Sequence, residues 1–202
     1  QKALAHLQEI TSNSKETEAQ YEQASRLYQL LSGGNPKKIP LQQFILGIML
    51  DDILTYANEF FSLLSRGRYS LRRLEGSAGG NAKSGLDLEV LDGFTGAPRS
   101  IETLSGGEQF LASLSLAFGL SDVVQSYSGS VRLDSIFIDE GFGSLDQDTL
   151  DTAMKALSQI QKMGRTVGII SHVSELKNRI ATQIQVHPSK NGGSSITMIK
   201  DA

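Results

Sequence analysis

Cysteine and tryptophan are absent from the 202 residues, proline occurs only 4 times, and charge of neither sign dominates. Without cysteine there are no disulfides and no thiolate metal sites, which fits a reducing cytoplasm. The longest apolar run, residues 44–50, falls far short of the roughly 20 residues that cross a bilayer, so no membrane partner is expected. The histidines, His6, His172 and His187, stand far apart and show no metal-ligand spacing. A net charge of −3 gives no general attraction to nucleic acid or anionic lipid; any DNA contact must come from a local patch. What remains is an ordinary globular composition, 39% hydrophobic, long enough for one or two domains.

The chain opens on Gln1, inside a helical pattern, which implies a segment of a longer protein. Residues 1–31 hold neither glycine nor proline. Leu7, Ile10, Ser14, Thr17, Tyr21, Ala24, Tyr28 and Leu31 recur at spacings of three and four, the seam of a coiled coil or of an ordinary amphipathic helix. Ser32-Gly33-Gly34-Asn35-Pro36 ends it. A second helix is predicted from Ile39 to about Leu64, with Phe44, Ile48, Ile53, Ala57, Phe60, Phe61 and Leu64 at helical intervals. Residues 65–75 shift to alternation, predicting a strand with Arg66, Arg68, Ser70 and Arg72 on one face and Tyr69 and Leu71 on the other. Arg66, Arg68, Arg72 and Arg73 are therefore candidate phosphate contacts on DNA, the alternative being a plain solvated face.

Residues 76–85 read as a loop. Its Ala82-Lys83-Ser84 fails as a phosphate loop because a methyl stands where the second glycine is needed. Residues 86–91 predict a half-buried strand. Ser105 and Glu108 form a capping box, and Gly106 and Gly107 strip side chains from the first turn. A bare helix start of that kind suits an anion, or is simply a good helix start. An identical Leu-Ser-Gly-Gly at residues 31–34 is a coincidence, because Pro36 forbids the helix that follows the later copy. Residues 135–138 predict a buried strand that ends in two acids, Asp139 and Glu140. Acids at a strand's C-terminal edge are where open α/β sheets do chemistry, although many structural strands also end in one. A tight turn leads to Asp146, just before a helix at residues 149–163, and a second apolar strand at 166–170 ends in Ser171-His172. Residues 180–187 and 194–200 predict closing strands joined by a turn at 190–193.

In this order and setting, the motifs at Ser105–Glu108, Asp139–Glu140, Asp146 and His172 resemble the signature, Walker B, D-loop and H-loop of the ABC-type ATPases. Leu104-Ser-Gly-Gly-Glu-Gln-Phe-Leu, Asp139-Glu-Gly-Phe-Gly-Ser-Leu-Asp and Leu64-Ser-Arg-Gly-Arg-Tyr sharpen the resemblance to the SMC-like SbcC group of DNA-repair ATPases. That resemblance implies an α/β fold, the C-terminal lobe of an ABC-type ATPase head with a P-loop NTPase-like sheet flanked by helices. It further implies a coiled-coil leg at 1–31, a helical base at 32–66 and the head lobe at 67–202. Asp139 would hold Mg²⁺ through water, Glu140 would polarise the attacking water, and His172 would contact the γ-phosphate of ATP. Ser105, Gly106, Gly107 and Glu108 would meet ATP held by a second head, and Asp146 would link the two sites. The implied partners are the N-terminal half of the same polypeptide, a second head in a homodimer, an SbcD-type nuclease docking within residues 1–60, and double-stranded DNA. A cytoplasmic, nucleoid-associated place is expected. An SMC-type chromosome organiser and an ABC transporter ATPase share parts of the pattern. Gly141 after Glu140, where transporters usually carry proline, and the coiled-coil leg speak against the transporter.

Overall fold

A computed structural model describes residues 2–74, 86–129, 133–162, 164–189 and 192–200, with backbone alone for 2–10 and 12. The loop expected at 76–85 and part of the turn at 190–193 lie outside the described residues, as do the side chains of Leu7 and Ile10. The chain runs α1 (Lys2–Leu31), α2 (Leu41–Leu64), β1 (Tyr69–Arg73), β2 (Leu88–Asp92), β3 (Ala97–Ser100), α3 (Gly106–Ser128), β4 (Ser135–Asp139), α4 (Gln147–Lys162), β5 (Thr166–Ile170), α5 (Ser174–Lys177), β6 (Thr182–Pro188) and β7 (Ser194–Lys200).

Helix α1 has no packing partner for its seam among the described residues, and Tyr21 and Tyr28 are exposed. It stops where Gly33 turns to φ +105°. Asn35 stitches the corner to α2: its side-chain amide donates to the carbonyls of Leu30 and Ile39 at 3.0 and 2.7 Å. The early Leu-Ser-Gly-Gly thus closes a helix, whereas the later copy opens one. Pro40 stands at the N-cap of α2, where its missing N–H costs nothing.

The first half of α2 is apolar yet exposed at Phe44, Ile45 and Ile48, while its second half enters the core through Leu54, Ala57, Phe61 and Leu64. There it crosses α3 without room to spare. A Cβ added at Gly119 would stand 2.6 Å from the Ile53 carbonyl oxygen and 2.7 Å from the Ala57 nitrogen. Glycine and alanine let the two backbones touch, and the buried Phe118 ring tilts against Phe60 at 5.1 Å beside that crossing.

Among the described residues the strands form three small sheets. In the first, β2 pairs antiparallel with both β1 and β3. The predicted arginine face is corrected here. Arg66 and Gly67 adopt positive φ and spend themselves in a turn, so the strand starts only at Tyr69. Arg66 and Arg68 therefore precede the strand, and only Ser70 and Arg72 share its polar face. Tyr69 and Leu71 share the opposite face and are buried in the core.

In the second sheet, β4 and β5 run parallel, with Asp139 opposite Ile170. One face, Ile136, Ile138, Val167 and Ile169, packs on the core with α4. The other does not: Phe137 is 73% exposed and Ile170 56%. The expectation of a buried strand is thus half wrong, because among the described residues nothing covers that face. Phe137 instead lies across Gly168, whose hydrogen leaves room for the ring.

Among the described residues the predicted closing strands pair only with each other, as the third sheet. Register puts Ile184 opposite Met198 and Val186 opposite Ile196, and all four are exposed on one face of the hairpin.

Candidate functional site

Two strands and two helix starts place the candidate residues. Because β4 and β5 are parallel neighbours in register, their C-terminal ends deliver Asp139–Glu140 and Ser171–His172 to one edge. The Glu140 N–H donates to the Ile170 carbonyl at 2.9 Å, carrying the ladder one residue past the strand. Glu140 then turns to φ +62°, a left-handed conformation that costs a non-glycine residue about 1–2 kcal/mol. The turn brings its carboxylate to His172, with Nδ1 3.0 Å from Oε2 and 3.2 Å from Oε1. An ionised carboxylate only accepts, so Nδ1–H donates to Glu140, while Nε2 accepts in the neutral ring and donates in the imidazolium. Both side chains are open to solvent, at 54% and 80%.

Gly141 continues the left-handed turn at φ +95°, and an added Cβ there would overlap the Phe110 ring of α3. Phe110 in turn meets Phe142 edge-on at 5.0 Å. This aromatic corner folds residues 142–145 back over the start of α3. Gly107 accepts that approach: a Cβ on it would stand 3.2 Å from Leu145 and 3.3 Å from the Ser144 oxygen. Around Gly106, by contrast, an added Cβ would meet nothing, so this face of the helix start is open. Asp146 caps α4, accepting from the Thr149 N–H at 2.7 Å. That bond, with the Arg66 cation nearby, holds its carboxyl below the ordinary value.

The capping box at Ser105 is formed in both directions. Ser105 Oγ accepts from Glu108 N at 3.3 Å, and Glu108 Oε2 accepts from Ser105 N at 2.9 Å. The other Glu108 oxygen accepts from the Tyr69 hydroxyl at 2.7 Å and lies 3.6 Å from Arg68 Nη1. Burial pushes Glu108 upward, but the Tyr69 and Ser105 hydrogen bonds and Arg68 outweigh it and hold it below its usual value. Arg68 reaches on to the buried Asp92 at 3.1 Å, and stacks over Tyr69 and Phe94. Asp92 is held low chiefly by that Arg68 bond.

Of the four arginines read as DNA contacts, three are engaged within the chain. Arg66 donates to Thr152 Oγ1 and the Asp148 carbonyl, Arg68 pairs with Asp92, and Arg73 pairs with Asp51 at 2.7 Å. Arg72 is exposed. Sequence reasoning missed Tyr69, Asp92, Arg99 and Phe110 as parts of the site. Tyr69, a hydroxyl among arginines on an apolar face, was the one visible cue.

These groups set a pH dependence with a definite sign. Glu108, Asp146 and Asp92 ordinarily titrate at 4.5, 3.8 and 3.8 and are all held lower in the fold. Unfolding raises their proton uptake, so their stabilisation is whole above about pH 4.5 and is lost as pH falls through the depressed values. The melting temperature should be level near neutrality and drop below about pH 4.5, less steeply in Asp92→Asn. Equal slopes in the two proteins would contradict the assignment to Asp92.

A cavity of about 690 Å³ opens between the α2–β1 turn, the α3 start and the α4 start, lined by Arg66, Arg68, Ser105, Gly107, Asp146 and Asp148. Asp139, Glu140 and His172 do not line it. The candidate residues therefore fall into two separate groups. Among the described residues no cluster of three acids or histidines could cage a metal. A lone strand-edge carboxylate suits Mg²⁺, which keeps several waters and takes one or two carboxylates together with substrate phosphates.

The chain is similar to known proteins along most of its length. Residues 85–159 match the family described as SbcC/RAD50-like, Walker B motif. The chain is 48% identical over 192 residues to the SbcC subunit of the nuclease SbcCD from Vibrio cholerae, and 44% identical over 186 residues to its counterpart from Staphylococcus aureus. These matches cover 95% and 92% of this chain but only 19% and 18% of the relatives. Among solved structures, the Pyrococcus furiosus Smc head domain with an extended coiled coil, bound to the C-terminal domain of ScpA, aligns over 95% of this chain and 44% of that one. Its TM-score is 0.61 at 19% identity. A chain from work on ATP-driven dimerization and DNA-stimulated activation of SMC ATPases aligns over 78% of this chain and 89% of that one, with TM-score 0.57 and 19% identity. The fold is that of an SMC-type ATPase head lobe.

Proposed function

We propose that this chain, which belongs among the SbcC-type proteins, is the C-terminal half of an ATPase head that dimerises around ATP and gates a nuclease acting on double-stranded DNA ends. The observation that carries the reading is the Glu140–His172 pair, held at the joint edge of two parallel strands. Asp139 would hold Mg²⁺ through water beside it, and the ion would neutralise charge developing on the phosphates. Glu140 takes a proton from the attacking water, while His172, steadied through Nδ1–H, donates Nε2–H to a γ-phosphate oxygen in its doubly protonated form.

Nothing in the described residues cradles a β-phosphate, so the phosphate loop would come from the N-terminal half of the same polypeptide. The uncovered apolar face with Phe137 and Ile170 supports a sheet completed from outside the chain. The open helix start at Ser105, Gly106 and Gly107, with Glu108 behind it, serves ATP held by a second head, and Asp146 lies on the same rim. Separation of the two groups supports this division. Binding of ATP closes the dimer through contacts that exist only while the γ-phosphate is present, and hydrolysis releases it.

The exposed apolar stretch of α2 suits the docking of an SbcD-type nuclease within residues 1–60. Arg72 is the arginine best placed for DNA, and a cytoplasmic, nucleoid-associated place follows. Nearer kinship to SbcCD proteins than to Smc heads favours this over a chromosome organiser. The test is co-expression with the N-terminal half: heads should dimerise on ATP addition and hydrolyse it faster with linear DNA. Heads that stay monomeric with ATP would refute the reading.

A further inference from the structure

Glu108 is held by more than its own capping box. Its second oxygen accepts from Tyr69, 39 residues away in sequence, at 2.7 Å. The Tyr69 hydroxyl in turn lies 3.1 Å from Arg99 Nη2 on β3. Arg99 is fixed by two bonds from Nη1, to the Thr103 carbonyl at 2.9 Å and its hydroxyl at 2.8 Å, and by Asp92 at 3.7 Å. A guanidinium can only donate and an ionised carboxylate can only accept, which fixes the direction of every link. Arg99 donates to Tyr69, Tyr69 donates to Glu108, and Glu108 accepts from the Ser105 N–H. Cation at one end and carboxylate at the other polarise the hydroxyl between them and strengthen both bonds.

The three-stranded sheet is the anchor of this chain of bonds. Tyr69 opens β1, Asp92 closes β2 and Arg99 lies on β3, whose register sets it against Val90. The Tyr69 ring is itself buried and stacked 5.9 Å from Phe61 of α2. Arg99 Nε is buried without a hydrogen-bond partner among the described residues. The guanidinium thus accepts a local loss to keep both Nη groups on Thr103 and Tyr69.

We infer that Tyr69 is a positioning residue for the Ser105–Gly107 helix start. Its hydroxyl, oriented by Arg99, fixes the Glu108 carboxylate and through it the Ser105 backbone, so that the bare N–H groups are set before a second head's ATP arrives. The inference rests on the trans-ATP role proposed for Ser105. Without the hydroxyl, Glu108 keeps its capping bond and the Arg68 cation 3.6 Å from its second oxygen. That oxygen loses its only close hydrogen bond among the described residues, so the carboxylate turns more freely and the helix start must be ordered at the moment of closure.

The test uses the full-length protein carrying Tyr69→Phe, which keeps the ring and its packing. One charge-assisted hydrogen bond less should weaken ATP-dependent head dimerisation about tenfold well below the melting temperature. Nucleotide binding to single heads should be unchanged, and the loss in turnover should shrink as protein concentration rises. Arg99→Lys, which keeps the charge but cannot span Thr103 and Tyr69 together, should weaken dimerisation in the same direction and serves if Tyr69→Phe does not fold. Ser105→Arg is the control for the underlying role. Dimerisation abolished by Ser105→Arg but within about twofold of wild type in Tyr69→Phe and Arg99→Lys would overturn the inference alone, since the tenfold loss expected from one bond would be missing. Dimerisation unimpaired in all three would remove the trans-ATP role and the inference with it.

Discussion

Replacing Glu140 by Gln in the complete head is expected to cut ATP turnover by about 10²–10⁴-fold, the range associated with a positioned general base. ATP binding should survive, and dimers should accumulate that do not come apart. Gln keeps the length of the side chain and can still face His172 at the 3.0–3.2 Å seen here. It carries no negative charge, so it cannot take the proton that the attacking water loses. The backbone strain at φ +62° is shared by both residues and cancels in the comparison. Single-turnover hydrolysis and size-exclusion chromatography with ATP measure the two halves of the result. Turnover above about a tenth of wild type would remove Glu140 from the general-base role.

The second large effect concerns stability and a residue that lies outside the cavity. Gly119→Ala ought to stabilise α3 by about 1 kcal/mol if helix propensity decided the matter. Packing decides otherwise. The added Cβ would lie 2.6–2.9 Å from the Ile53 oxygen and the Ala57 nitrogen and Cβ. Two of those neighbours are backbone, which cannot rotate aside, so α2 and α3 must separate. Overpacking of this sort costs about 1–3 kcal/mol, occasionally more. Backbone neighbours put the cost toward the upper end, so after the propensity gain a net loss of about 1–2 kcal/mol is expected, a sizeable part of the 5–15 kcal/mol typical of a domain. Chemical denaturation of the variant and wild type measures it; a variant as stable as wild type would show that the helices do not meet as described.

Much of this arrangement was legible in the residues. The long helices announced themselves by period and by their stops at Gly33–Pro36, and the capping box at Ser105 and Glu108 formed as written. The strand that carries Asp139 and the one that ends before His172 were visible as short apolar runs. Strand β3 was not, because Pro98 argues against a strand and the element is only 4 residues long. Pro98 is tolerated at an edge, where its missing N–H has no ladder partner.

Alternation also misread the arginines. A period of two cannot see that Arg66 and Gly67 reverse the chain first, although an Arg-Gly pair after a helix was a cue. Burial of β4 was overestimated for a different reason. An apolar run states what a strand can bury, while the exposure of Phe137 depends on what lies across from it. Network residues such as Tyr69 and Arg99 are 30 apart in sequence, and no local pattern links them.

The β6–β7 hairpin is free along both edges among the described residues, with Ile184, Val186, Ile196 and Met198 bare on one face. Unpaired edge groups beside an apolar stripe form a template on which another copy can add strand by strand. Short β-prone segments of this sort are also the ones that stack into insoluble fibres. Whether the polypeptide stays in solution is therefore governed by supply as much as by its own free energy of folding. An uncovered hairpin makes the chain prone to precipitation at high concentration. Whatever covers it in the assembled protein would double as its solubiliser.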